Sequence, residues 1–578
     1  MIMLQAAHLR ALSSPFSHSC LYRVHRLPQA VPTSFRPSPE VISRKPLGVL
    51  LTLLKSTLAG TFVSVASKRL TSRLTSVLTP LDATLTKNRG EGGYIPRSLL
   101  LPVICAALLL SPSAMAQEKS SPPHRVSQIE VYESSEELHE TLQEKPPLTF
   151  AAARAPQLTV AVNDAAKYQE MDGFGASLTE SSAWLLSQKL TPPQRTALLK
   201  QLFDPKQGIG LAILRQPMGS SDFSLADYSY DDVPPGESDP EMKHFTIDRD
   251  RQYILPVLRE ALAVNPKLKI IASPWSPPGW MKTSGSMIGG TLLPSSFAPL
   301  ARYFVRFVQS YEAAGVPIFA VTPQNEPRNI PSDYPGMGMT AEEQTVFIRE
   351  HLGPAFRDAH LKTKIMAFDH NWDLIDFPEK LLSDSKAAEF SAGTATHCYG
   401  GGPDAQTKLH DHFPTKGIWL TECSGGEWQK GNLLVAQANL IIETTRNWGE
   451  SIVLWNLALD QNHAPHLGGC TNCRGVVTID HSKSPATVTP TVDFAALAHA
   501  SNFVAPGALR IDSIASEESP LKHVAFRNSD GSIVLLALNP SESAMTFSIA
   551  WQSQYATYTL QPGAVVTFHW PRKSRTRH

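Results

Sequence analysis

Between Gly173 and Phe503 the chain alternates between short apolar runs and amphipathic stretches of helical period. The apolar runs number eight: one near Gly173–Ala176, then Gly210–Leu214, Lys269–Ala272, Ile318–Val321, Lys364–Phe368, Thr394–Thr396, Ile418–Leu420 and Ser451–Trp455. Helical stretches such as Pro192–Leu202, Arg251–Ala263, Ala298–Ala314 and Ala341–Phe356 lie between several of them. Runs apolar on both faces suit strands buried on both sides, and parallel strands need long crossovers between them. Alternation of this length predicts a parallel α/β barrel. After Gly507 the texture changes to short strands separated by turn residues: Val524–Arg527, Ser532–Leu538, Thr546–Ala550, Ala556–Leu560 and Ala564–Phe568. That pattern predicts an antiparallel sheet. Three strand-like runs before the barrel, Gln128–Glu133, Leu148–Ala151 and Leu158–Val162, are expected to complete it. The predicted fold is α/β: a (β/α)8 TIM barrel over 166–505, with an all-β sandwich side domain built from both ends of the mature chain. Residues 117–165 supply a linker and its first strands, and 506–578 supply the rest. No internal repeat is visible.

The formal charge of the 578 residues is zero but unevenly spread. Residues 1–96 hold three acids, Glu40, Asp82 and Glu91, against twelve Lys and Arg. Nothing further along has the clustered basic face of a nucleic-acid binder. Arg97 opens a cation, an apolar run and a small-x-small site ending at Ala114-Met-Ala116, the layout of a secretory signal. The run is short and broken by proline, unlike a membrane span. Cleavage is expected after Ala116, which predicts a secreted or periplasmic protein beginning at Gln117 and no stable membrane anchor. Residues 1–96 read as an over-extended start or as a basic, Ser-rich leader. The apolar run Pro46–Ala66 is interrupted by Lys55 and is a weaker anchor candidate. Cys398, Cys423, Cys470 and Cys473 would then lie in a compartment that permits disulfides. Four cysteines in so long a chain make no disulfide scaffold, so the core must supply the stability.

Two glutamates stand directly after strand-like runs, in Val321-Thr-Pro-Gln-Asn325-Glu326-Pro and in Leu420-Thr421-Glu422-Cys423. The C-terminal end of a barrel strand is where side chains converge on a ligand. Two carboxylates facing each other there can cleave a glycosidic bond, one protonating the leaving oxygen and one attacking or activating water. The plainer reading of either glutamate alone is a surface-loop carboxylate.

Seven segments, in order, resemble glycoside hydrolase family 30 and its glucosylceramidase-like branch. They are Gly173-Phe-Gly-Ala-Ser-Leu-Thr-Glu180, Leu214-Arg-Gln-Pro-Met-Gly-Ser-Ser-Asp222-Phe-Ser, Ala272-Ser-Pro-Trp275-Ser-Pro-Pro-Gly-Trp280-Met-Lys282, Val321-Thr-Pro-Gln-Asn325-Glu326-Pro, His397-Cys-Tyr399, Thr421-Glu422-Cys and Trp455-Asn-Leu-Ala-Leu. A lone Asn-Glu-Pro would be weak evidence; seven segments in family order are not. The resemblance implies a barrel with a β-sandwich side domain, retention of anomeric configuration and no cofactor. It matches Glu326 to the acid/base and Glu422 to the nucleophile. The acid is expected to have a raised pKa, from burial and the neighbouring carboxylate. Asn325 matches the residue that bonds the sugar 2-hydroxyl, and Asp222, Trp275 and Trp455 match sugar-binding positions. For the tryptophans, barrel packing is the competing reading. Asn456 is a neighbouring candidate whose side chain should point to the other face of the strand. His397 and Tyr399 end the sixth strand, beside the nucleophile; Cys398 between them replaces the tryptophan of human-type enzymes. Arg215 is expected to support the carboxylates or to serve as a barrel salt bridge.

Three motifs are discounted. Gly173-Phe-Gly175 lacks a third glycine and the context of a dinucleotide site. Glu180 and Glu427 are read as structural acids. His463-x2-His466-x3-Cys470-x2-Cys473 has zinc-like spacing, but a Cys470–Cys473 disulfide or two free thiols are plainer readings, so no metal is expected. The expected function is a secreted retaining β-glycosidase of glucosylceramidase type, acting on a β-glucoside, glycolipid or β-glucan. An endo-β-1,6-glucanase, a β-xylosidase and, in another class, a non-catalytic carbohydrate-binding protein are the alternatives.

Overall fold

The computed structural model describes residues 128–137, 139–152, 158–516 and 518–571. The basic leader, the signal segment and the linker before Gln128 lie outside these. Three strands come first: β1 (Gln128–Ser135), β2 (Glu140–Thr149) and β3 (Thr159–Glu170). Eight parallel strands follow and close a barrel. They are β4 (Gly173–Ser177), β5 (Ile213–Pro217), β6 (Lys269–Ser273), β7 (Ala320–Val321), β8 (Lys364–Asn371), β9 (Ser391–His397), β10 (Gly417–Glu422) and β11 (Gly449–Leu454), with β11 pairing back onto β4. All eight predicted runs became barrel strands. The predicted helix over Ala341–Phe356 is one helical run with a π-helical turn, Phe347–Leu352, in its middle.

Side-chain alternation explains the barrel's packing. Ile213, Ile271, Ala320, Met366, Ala395, Trp419 and Val453 form one buried cluster inside it. Their neighbours Leu214, Ile270, Val321, Ile365, Leu420 and Ile452 face the surrounding helices in the larger core. Trp419 fits inside because its indole N–H donates to Asp172 Oδ2 at 2.7 Å, and Lys269 pairs with the same carboxylate. Gly175 is required by close approach: a Cβ there would lie 1.7 Å from the Ile213 carbonyl oxygen.

Beyond the barrel, β12 (Ala458–Asp460), β13 (Val477–Asp480) and β14 (Thr487–Pro490) form a small sheet in the loop after β11, which the sequence did not suggest. Six strands then complete the side domain: β15 (Leu509–Ala515), β16 (Lys522–Arg527), β17 (Ile533–Leu538), β18 (Met545–Trp551), β19 (Gln554–Leu560) and β20 (Ala564–Trp570). The sheet order is β19-β18-β3-β15-β16-β17-β20-β1-β2, so strands from both ends interleave in one nine-stranded sheet. Two differences from expectation have clear causes. Most of β2 is polar and carries Pro146 and Pro147, as an edge strand can, so only its last residues read as strand. The charged Arg510 and Asp512 interrupt the apolar pattern of β15.

The side domain is fixed to the barrel by the two faces of its central strands. In β17, Ile533, Leu535 and Ala537 belong to the sandwich core, whereas Val534, Leu536 and Leu538 belong to the barrel's core. His499, on the last helix (Val492–Ser501), sits in this interface. Its ring bonds Thr567 Oγ1 of β20 and Ser134 Oγ of β1, each at 2.8 Å. Burial pushes its pKa down to about 3. Between about pH 6.5 and about 3 the unfolded chain therefore binds a proton there that the folded chain does not. Stability should fall as pH drops below 6.5, by up to about 1.4 kcal/mol per pH unit from this residue. Denaturation midpoints at several pH values will read it: His499→Asn should flatten the slope below pH 6.5, and an unchanged slope would contradict this role.

Candidate active site

The ends of the barrel strands bring the predicted residues together. Glu422 is the last residue of β10 and His397 the last of β9. Tyr399 lies two residues further on, Trp455 directly follows β11, and Trp275 and Asp222 lie in the loops after β6 and β5. Glu326 does not stand on a strand. Pairing of β7 ends at Val321, and the chain reaches Glu326 through a segment tied down by Asn325 N–H to Pro274 O and Glu326 N–H to Asp369 O, both 2.9 Å. Glu326, Phe368 and Asp369 all have positive φ, at 44°, 78° and 75°. Each such non-glycine residue costs about 1–3 kcal/mol, held by its surroundings. A bulge in β8 at Phe368–His370 turns Asp369 into the site.

Arg215, from β5, is fully buried and organises the acids. Nη1 donates to Glu422 Oε2 at 2.5 Å, and Nη2 to Asp369 Oδ2 and Asn325 Oδ1 at 2.7 Å each. Burial works against its charge, but Asp369 and Glu422 more than restore it. Asp369 also accepts from Ser273 and Thr322 at 2.7 Å, from Thr421 at 2.6 Å, and bonds His397 Nε2 at 3.0 Å. With so many donors and two cations beside it, its pKa falls well below the ordinary range despite burial. Glu422 takes a second donor, the Tyr399 hydroxyl, at 2.8 Å.

Glu326 faces His397 and Asn329: its Oε1 lies 3.1 Å from His397 Nδ1, and its Oε2 accepts from Asn329 at 2.8 Å. Burial favours the neutral acid, but these bonds and the charges of His397 and His370 hold the carboxyl below its usual range. His397 is pushed up: burial opposes its charge, and Glu422, Asp369 and Glu326 outweigh burial. Burial raises Glu422, against the pull of His397 and Arg215. This reverses the expected raised pKa of Glu326, because the sequence did not show an imidazole one hydrogen bond away. Asp222 is pushed well up by burial and then by Glu422 and Glu326, and its Oδ1 is buried with no hydrogen-bond partner among the described residues. Trp275 and Trp455 are each 3% exposed and stack on each other, centroids 5.0 Å apart, with the Arg215 guanidinium over Trp275. Packing therefore occupies most of their ring faces. Asn456 is wholly buried and its amide finds no partner among the described residues.

The motif with zinc-like spacing is a loop closed by a Cys470–Cys473 disulfide, which removes both thiolates. A second disulfide, Cys398–Cys423, ties the ends of β9 and β10 between His397, Tyr399 and Glu422. Glu326, His370 and His397 alone among the described residues converge as metal ligands could, with donor atoms within 4.8 Å of one another. His397 is already bonded to Asp369 and Glu326 there. Glu180 pairs with Arg249 and Glu427 with His463, consistent with structural roles.

Residues 171–504 match the Glycosyl hydrolase family 30 TIM-barrel domain, and residues 507–568 match the Glycosyl hydrolase family 30 beta sandwich domain. The chain belongs to glycoside hydrolase family 30. It is 35% identical over 398 residues to an endo-1,6-beta-D-glucanase of Neurospora crassa, covering 66% of this chain and 81% of that protein. It is 31% identical over 436 residues to the mouse lysosomal acid glucosylceramidase, covering 70% and 82%. The solved structure of the endo-beta1,6-glucanase BT3312 superposes with a TM-score of 0.72 at 32% identity, covering 77% of this chain and all of that one.

Within this family 30 chain the sequence reading missed Asp369, His370 and Asn329. Asp369 stands near the end of a predicted strand, Lys364–Phe368, so the rule that singled out Glu326 could have found it. His370 and Asn329 carry no comparable signal. Asp369 makes Arg215 indispensable, since losing one partner strands buried charge. Arg215→Gln should cost about 3–5 kcal/mol, read from the denaturation midpoint. A shift of less than about 1 kcal/mol would show that the cation is not what stabilises these acids.

Proposed function

We propose that the site performs retaining hydrolysis of β-glucosidic bonds, with β-1,6-linked glucan as the substrate. The observation that carries the chemistry is the unequal treatment of the two glutamates. Glu422 is bound to a permanent cation, Arg215, at 2.5 Å, which opposes the burial that raises its pKa. Glu326 is bound to a titratable base, His397, at 3.1 Å, so this pair can hold and release one proton. The apparent pKa then belongs to the pair rather than to either residue.

Attack of Glu422 on the anomeric carbon forms the glycosyl ester and breaks the glycosidic bond. The ester no longer carries the negative charge that lifts the His397 pKa. His397 becomes more acidic as that charge disappears, and its proton can pass to Glu326 and on to the leaving oxygen. In the second step Glu326 takes a proton from water, which attacks the ester and frees Glu422 with net retention. Asn325, fixed by Arg215, is placed to bond a sugar hydroxyl, and the orphaned Asp222 oxygen can accept another. Trp455 and Trp275 pack together with Phe223, the residue after Asp222. No step uses a cofactor.

The glucan reading is favoured over others by the likeness to endo-β-1,6-glucanases in both sequence and solved structure. Glucosylceramide is the second reading, supported by the mouse enzyme. It would bring a role in sphingolipid metabolism. Secretion through the segment ending at Ala116 suits an enzyme acting on an external polymer. Products from β-1,6-glucan and from glucosylceramide separate the readings: soluble β-1,6 oligosaccharides are expected, and release of ceramide alone would favour the second.

Glu326→Ala should discriminate by leaving group. The acid matters most for a basic departing oxygen and least for an activated phenol. Hydrolysis of glucan should be lost, while a dinitrophenyl β-glucoside should still glycosylate the enzyme and then stall. Azide, which needs no base, should restore turnover and give the β-glycosyl azide. Equal loss on both substrates without azide rescue would remove Glu326 from this role, and an α product would overturn retention.

A further inference from the structure

Four large apolar side chains among the described residues are exposed: Ile330, Tyr399, Trp428 and Ile514. The two aromatic ones line the same cavity, of about 390 Å³, beside the candidate nucleophile. Its wall includes Cys398 and Cys423, joined in a disulfide, and Gln429 and Gln437. Tyr399 belongs to both places. It lines the cavity, and its hydroxyl donates to Glu422 at 2.8 Å.

Trp428 is 45% exposed, yet its loop is firmly braced. Arg474 N–H donates to Gly425 O at 2.8 Å, Glu427 N–H to Asn472 O at 3.1 Å, and Gln429 N–H to Gly426 O at 3.1 Å. The Arg474 guanidinium packs on Gly425 and bonds both Asp493 oxygens and Gln429 Oε1. The indole lies against Gly426 so closely that a Cβ there would be 1.9 Å from the ring. Folding thus holds a large ring in water at one orientation, forgoing the burial such a ring usually seeks. An amphipathic ring held beside a polar pocket is the arrangement that ligand sites use.

We infer that this cavity is a distal glucosyl subsite of the same cleft, reached across Tyr399, with Trp428 as its stacking platform. The inference rests on the glucan reading above and extends it to chain length. A sugar presents a C–H face to an indole and hydroxyls to side-chain amides, and the cavity offers both. Of Ser424, Gln429 and Gln437 on the wall only Gln429 is partly open to water, and a lipid tail would gain no hydrogen bond from it.

The test compares wild type with Trp428→Ala and Trp428→Phe on β-1,6-gluco-oligosaccharides of increasing length and on an aryl β-glucoside. For Trp428→Ala, kcat/KM should fall about tenfold on the longer oligosaccharides, mainly through KM, while the aryl glucoside changes less than about twofold. Trp428→Phe, which keeps a ring, should recover most of the loss. Equal loss on both substrate types would assign Trp428 to loop structure and overturn the inference, as would no loss on any oligosaccharide. A loss confined to glucosylceramide would also overturn it, in favour of a lipid site. If the wild type cleaves no β-1,6 oligosaccharide, the substrate reading fails first, and that is seen before any variant is made.

Discussion

A single buried cation, Arg215, holds together the ends of four barrel strands. It reaches Glu422 on β10, Asp369 on β8, Ser273 on β6 and, from its own place on β5, Asn325 beyond β7. A guanidinium has five donors in a fixed plane, so it can serve several acceptors without moving. Burying it would be prohibitive alone; two carboxylates make it tolerable. The same arrangement positions the candidate chemistry. Asp369, held by Arg215, also accepts from His397, and His397 donates from its other nitrogen to Glu326. The cluster is therefore a chain of charges, cation–acid–imidazole–acid, rather than two isolated glutamates. A change at any link should be felt at the others, because interactions are strong and poorly screened in so dry a place.

The side domain belongs to this account mechanically. Its central strands give alternate residues to two cores, so the sandwich and the outer barrel wall share buried surface. The helix Leu433–Arg446, which follows the loop of Trp428, packs on β16, β17 and β20. The strands that end the described chain thus brace the helix that follows β10 and its nucleophile candidate.

Much of this was legible in residue order. Most of the barrel strands carry runs apolar on both faces, and that is the signal a buried parallel strand leaves in sequence. The acidic strand ends and the family segments pointed to Glu326, Glu422 and their neighbours. What escaped was whatever depends on a bend or a distant partner. The bulge that turns Asp369 inward comes from two positive-φ residues with ordinary side chains, Phe368 and Asp369. The proton balance of Glu326 depends on His397, far along the chain, so its direction could not be read locally. The Cys398–Cys423 disulfide joins residues whose proximity only the barrel creates. For Trp275 and Trp455 the packing reading holds, since the buried rings stack on each other.

The central claim is that Glu422 attacks the sugar and carries it as an ester. A 2-deoxy-2-fluoro β-glucoside with a dinitrophenol leaving group slows release of that ester enough for it to accumulate. Mass analysis of the intact protein and of its peptides should then show one fluoroglucosyl group, on the peptide containing Glu422, lost when Glu422 is replaced by Gln. A label on any other residue, or none despite release of dinitrophenol, would contradict the account.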